Sequence, residues 1–133
     1  MALTQDRNTP MKDTEIVSLP VAANAVIHAG ALVVANATGF AAPGSTALNL
    51  TYVGRAEAAV DNTGGADGAK TVKVRTGKAF LLNNSAADPV TQASQHKVAY
   101  IVDDETVAAT SGGNTRSAAG VVVSVGADGV WIK

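Results

Sequence analysis

The chain has 133 residues, 10 Lys+Arg against 11 Asp+Glu, and no cysteine. That length suits one domain with a modest core, and the balanced charge offers no basic surface for a nucleic-acid backbone. Disulfides, thiolate metal sites and thiol nucleophiles are excluded outright. Charged residues are 16% and aromatic residues 4%, while alanine makes up about a fifth of the chain. Alanine and glycine remove little apolar area from water, so help from neighbouring subunits is expected.

Residues 1–13 are mostly polar and without a hydrophobic period, which predicts an extended N-terminal arm ahead of a single β-rich domain over 14–133. Ordering such a segment costs about 1–2 kcal/mol per residue, so a partner surface has to fix it. Leu3, Arg7, Pro10 and Met11 are the candidate contact residues for that partner surface. The opening "MALTQDRNTPMKDTEIV" lacks the order of a signal peptide, and no apolar run approaches membrane-spanning length. A soluble, unprocessed protein with no membrane partner is expected.

From Glu15 onward short valine-rich runs alternate with turn residues: "EIVSL", "AVIHAGALVVA", "LNLTYVGRAEAAV", "TVKVRTGKAFLL", "KVAYIVDD", "TVAAT" and "AGVVVSVGADGVWIK". This is the pattern of an all-β sandwich or barrel. "NATGF" at 36–40, "GADGA" at 65–69 and "GADGV" at 126–130 read as turns, because glycine accepts positive φ without steric cost. The last joins two strands into a C-terminal hairpin carrying Trp131, the only tryptophan.

"GGADGAKT", residues 64–71, is one residue short of a phosphate-binding loop, with Ala69 where the second glycine belongs. Such a loop must open a helix whose N–H groups face the anion. Here Val72 and Val74 alternate with Lys73 and Arg75, so the segment should join two strands. In "SAADPVTQASQHK", Asp88 can cap a helix and Pro89 fits its first position, predicting one short helix of two or three turns at most. Thr110–Thr115 reads as an exposed loop.

The chemistry-bearing groups are few. His28 lies in an apolar run and is expected as a satisfied core or interface residue, and His96 as a solvated one. No "GxSxG" elbow supports a serine nucleophile. In "DDET", 103–106, Asp103 and Asp104 are adjacent on a strand end and point to opposite faces, so a hairpin turn explains the run better than a cation site. The triplets "NAT", "NLT" and "NNS" match a glycosylation pattern but lack a signal peptide to make them relevant. No catalytic, cofactor or metal residue is assigned.

"YVGRAEAAVDNTGGADGAKTVKVRTGKAFLL", then "DPVTQASQHKVAYIVDDETVAAT" and "SAAGVVVSVGADGVWIK", resemble in order and pattern the capsid cement, or head decoration, proteins of tailed bacteriophages. The likeness runs from about Thr14 to Lys133, and "MALTQDRNTP" looks like the opening of Mu-like phage and prophage members. The resemblance implies a β-rich protein without catalytic residues that binds the outside of the shell, usually as a homotrimer. It would be made in the bacterial cytoplasm, sit on the virion surface and brace the major capsid protein. The arm would lie across a neighbouring subunit or the shell. A virion-associated adhesin or glycan-binding β-module is the alternative. Against it, sugar sites use aromatic platforms and this chain has only Trp131, two tyrosines and two phenylalanines. An enzyme ranks last.

Overall fold

A computed structural model describes residues 1–133. Twelve strands follow in chain order: β1 Ile16–Pro20, β2 Val26–Ile27, β3 Leu32–Ala35, β4 Ala41–Pro43, β5 Thr51–Ala56, β6 Val60–Asp61, β7 Thr71–Arg75, β8 Phe80–Asn84, β9 Val98–Ile101, β10 Thr106–Ala108, β11 Ala118–Gly126 and β12 Gly129–Ile132. The fold is all-β, with one 3-10 turn at Gln92–Ser94. A five-stranded sheet has the order β1-β7-β5-β3-β4, a small closed barrel has the order β10-β8-β12-β11-β9, and β2 pairs with β6. Within the barrel β8 and β10 run parallel, and the other pairs are antiparallel.

Strand β3 explains how these parts share two cores. Its run Leu32-Val33-Val34 is buried throughout, as expected of a strand covered on both faces. Alternate side chains point opposite ways. Leu32 and Val34 join the barrel interior with Leu82, Ile101, Val107, Val122, Val130 and Ile132. Val33 joins a second core with Val21, Ile27, Val72, Val74 and the small Ala31, Ala41 and Ala56. Fully burying a valine, leucine or isoleucine contributes roughly 1.5–3 kcal/mol, and an alanine far less. The barrel core is therefore the stronger of the two.

Strand β5 carries an irregularity that re-aims its side chains. Val33 pairs with Gly54 and Val34 with Tyr52, so the register slips by one residue and Val53 is the extra one. A bulge of this kind re-aims side chains. Tyr52 and Arg55, three apart, come to lie on the barrel side, while Val53 and Ala56 pack into the second core. Gly54 sits where β7 crosses closely: a Cβ there would overlap the Arg75 carbonyl oxygen.

Two local expectations need correction. The helix beginning at Asp88 does not form. Asn84 instead clamps Val90 on both sides, accepting from its N–H and donating to its carbonyl, each at 2.8 Å, which holds that residue as a strand partner would. What remains helical is the single turn after Thr91. The C-terminal hairpin forms as expected, with Gly126 pairing with Gly129 around Ala127 and Asp128. His28 is exposed rather than a core residue, because the chain leaves the buried Ile27 for a turn at Ala29–Gly30.

The other turns form where expected. Asn36 Oδ1 accepts from the Thr38 and Phe40 N–H groups at 3.1 and 3.0 Å, and Gly39 has φ 91°. "DDET" links β9 to β10, with the Asp104 and Glu105 carbonyls accepting from Leu32 and Asn83 N–H at 2.7 Å each. The turn thereby ties the sheet to the barrel.

Candidate interaction surfaces

The near-phosphate loop is built by its own hydrogen bonds. The Gly65 N–H donates to the Asn62 carbonyl, Gly68 to Val21 and Ala69 to Ala66, while Gly64 donates to Asn24 Oδ1 at 2.8 Å. These four donors are spent internally, and the segment runs directly into β7. Lys70 Nζ reaches the Asp61 carbonyl at 2.6 Å. Buried Asn62 organises the loop from beneath, its Nδ2 donating to the Ala22 and Ala66 carbonyls at 2.9 and 3.1 Å. A buried polar side chain with its hydrogen bonds made is structural, and this one shapes a turn instead of a ligand cradle.

Leu3, Arg7, Pro10 and Met11 all lie on a segment without strand or helix, and all are exposed. Leu3 is 73% exposed and Met11 98%, so their apolar surface is unpartnered within the chain. Arg7 Nη1 meets only Thr9 Oγ1, at 3.5 Å. The structure does not bring these four together. The arm is first tied down at its root, where the Thr76 N–H donates to the Glu15 carbonyl at 2.8 Å and the Thr76 hydroxyl to the Thr14 carbonyl.

Where β3 and β5 of the sheet face β8 and β12 of the barrel, a cleft of about 270 Å³ opens. Leu32 and Leu82 line it together with Tyr52, Phe80, Trp131 and Arg55. Three of the chain's five aromatic residues therefore meet at one place. Burial alone pushes the Tyr52 hydroxyl up to about 12, with no hydrogen bond contributing. The Arg55 guanidinium lies over the Phe80 ring, 5.2 Å from its centre, in cation–π contact. Arg55 also pairs with Glu57, which Arg75 Nε approaches at 2.7 Å. Hydrogen bonds from Arg75 and then Arg55 hold the Glu57 carboxyl below the usual range. Arg55 Nε is buried and unpartnered. Sequence reasoning missed this cluster, though the lone glycine within "TYVGRA" is the signal of a bulge or close backbone approach.

The outside of the barrel carries a second apolar feature. Leu81 on β8 pairs with Trp131 on β12, and Val98 on β9 pairs with Val121 on β11. These four and Val123 are each 39–41% exposed. Outward residues of a closed barrel facing water are ordinarily polar, and here four adjacent strands each carry an outward apolar residue, although Trp131 faces Ser124 and Val121 is bonded to Lys133 across the β11–β12 pair. Leu81 and Trp131 belong to both the row and the cleft rim.

One acidic group is fully engaged in holding a loop. Asp88, expected as a helix cap, anchors the loop after β10: its Oδ2 accepts from the Thr110 hydroxyl at 2.5 Å, the Thr110 N–H at 3.1 Å and Arg116 Nη1 at 2.9 Å. The Thr110 hydroxyl first, with Arg116 beside it, holds this carboxyl below its ordinary 3.8. A lowered pKa means that the contribution is present above pH 3.8 and is lost as the pH falls through the folded value. The Thr110 amide resonance should therefore hold constant from neutral pH down to about pH 5 and move on further acidification. The Asp88→Asn variant should lack that transition. A Thr110 amide that moves on acidification alike in the native and Asp88→Asn chains would contradict the assignment.

His28 borders a shallow depression with Asp104 and Glu105, and no three His, Asp or Glu side chains are grouped to hold a metal ion. No helix is long and apolar enough to cross a membrane. No protein-family model, curated protein or solved structure matches the chain.

Proposed function

We propose that this protein decorates the head of a tailed bacteriophage, binding the outer surface of the major capsid protein shell as a homotrimer and bracing it. The observation that carries this reading is the pairing of an exposed arm bearing unpartnered Leu3 and Met11 with an apolar row on the barrel exterior. One surface would serve self-association, and the arm would strap the assembly down, with Leu3, Arg7, Pro10 and Met11 as its contacts. The resemblance of the strand phrases to decoration proteins supports the same reading. The protein would be made in the host cytoplasm and end on the virion surface.

Deleting residues 2–12 should leave the melting temperature of the β-domain nearly unchanged, since the arm adds no core, while retention on decoration-free shells falls. Co-sedimentation across a dilution series measures this. Equal retention of the truncated and full chains would reduce the arm to a loose end.

The glycan-binding alternative gains one observation, the gathering of Tyr52, Phe80 and Trp131 at the cleft. Its floor of Leu32 and Leu82 gives sugar hydroxyls little to bond, and Tyr52, Arg55 and the Trp131 indole are its only side chains with polar atoms. That composition fits an apolar guest better.

A further inference from the structure

The cleft and the arm are complementary parts of one chain. The cleft is smaller than the roughly 300–1,000 Å³ of ordinary small-molecule sites, which suits a side chain rather than a whole ligand. Three aromatic rings surround it, and the thioether of methionine is the flexible side chain best matched to an irregular aromatic socket. Beside the rings, Arg55 and Arg75 both reach Glu57, and Arg75 is also drawn to Glu15, which Lys78 approaches at 4.0 Å, so three cations stand against two carboxylates and an excess of positive charge remains. The matching guest is an apolar side chain with a carboxylate close by on the same side.

The arm holds that arrangement. In an extended chain residues two apart point the same way, so Met11 and Asp13 share a face about 7 Å apart while Lys12 turns to the other. Pro10 restricts the backbone just ahead of them, which lowers the entropy lost on docking. The arm's root also lies near. Ile16, Arg75 and Arg55 stand in one row across β1, β7 and β5, placing the root about 10 Å from the cleft. Yet the arm's own Met11 is 98% exposed, and Asp13 accepts only the nearby Glu15 N–H at 3.4 Å. The cleft rim, through Leu81 and Trp131, continues into the apolar row assigned to self-association.

We infer that the cleft receives the Met11–Asp13 stretch of a second copy, Met11 entering among Tyr52, Phe80 and Trp131 and Asp13 pairing with Arg55. This rests on the self-association reading above and adds a second contact between copies to the one made by the apolar row. Trp131, as the only tryptophan, reports on the socket directly.

The test uses the chain lacking residues 2–12, whose removed segment makes no hydrogen bond to the β-domain, and an amidated peptide of residues 5–15, "QDRNTPMKDTE". Trp131 emission should shift saturably as the peptide is added. The Met11→Ala peptide should bind roughly tenfold or more weakly, and the Asp13→Asn peptide a few-fold more weakly. No shift, or equal binding by the Met11→Ala peptide, overturns the inference. A companion series dilutes the full chain: emission that moves toward that of the arm-deleted chain supports docking between copies. Emission unchanged by dilution, yet distinct from the arm-deleted chain, puts the arm in its own cleft and overturns the second-copy assignment. Sedimentation of the full chain separates the two readings, since an oligomer whose cleft ignores the peptide leaves self-association standing without this contact.

Discussion

The Gly54→Val variant is expected to lose most or all of its stability. A Cβ at this position would overlap the Arg75 carbonyl oxygen and press on the Val74 Cγ1 atom, so β5 and β7 would have to separate at the centre of the sheet. Backbone cannot move aside as the tip of a side chain can, and overpacking of this kind costs about 3 kcal/mol or more. For a small domain that is a large share of the total. Gly77 provides the control. It has φ 73° with open space where a methyl group would stand, so Gly77→Ala carries only left-handed strain, about 1–2 kcal/mol. Urea unfolding of both variants checks the difference, and a Gly54→Val protein as stable as Gly77→Ala would refute the close-crossing account.

The second large effect falls on assembly. Val98 and Val121 are cross-strand partners on the barrel exterior, 41% and 40% exposed, and remote from the cleft. The double variant Val98→Lys/Val121→Glu places opposite charges side by side, which a lone β-domain tolerates. A contact between copies would have to desolvate both charges and would lose the remaining burial of two valines already more than half covered, roughly 1 kcal/mol each. Self-association should therefore weaken about a hundredfold or more, with strand content and unfolding midpoint nearly preserved. Sedimentation equilibrium of the native and variant chains measures it. An unchanged oligomer would move the self-association face elsewhere.

Much of the strand order was legible because it rests on local chemistry. Val72 and Val74 alternate with charged neighbours and become inward residues of β7. The turn at Asn36 and the "DDET" connection also follow from residues that bond their own backbone neighbours. What the sequence hides depends on distant partners. Asp88 and Pro89 are sound helix-starting residues, and they lose to Asn84, whose amide clamps Val90 across six positions. His28 sits in an apolar run, yet that run is two strands and a turn rather than one buried segment. The cleft is the clearest case. Strict alternation puts Tyr52 and Arg55 on opposite faces, and only the slip at Val53 brings both toward Phe80 and Trp131. A one-residue slip exchanges the faces of a strand.

The proposal that the chain decorates a phage head is tested most directly by electron cryo-microscopy of shells assembled with and without it. The account expects added density on the outer surface, arranged about three-fold positions and large enough for three β-domains, with arms running to neighbouring subunits or the shell. Bare shells, with the protein wholly in the supernatant at saturating concentration, would contradict it.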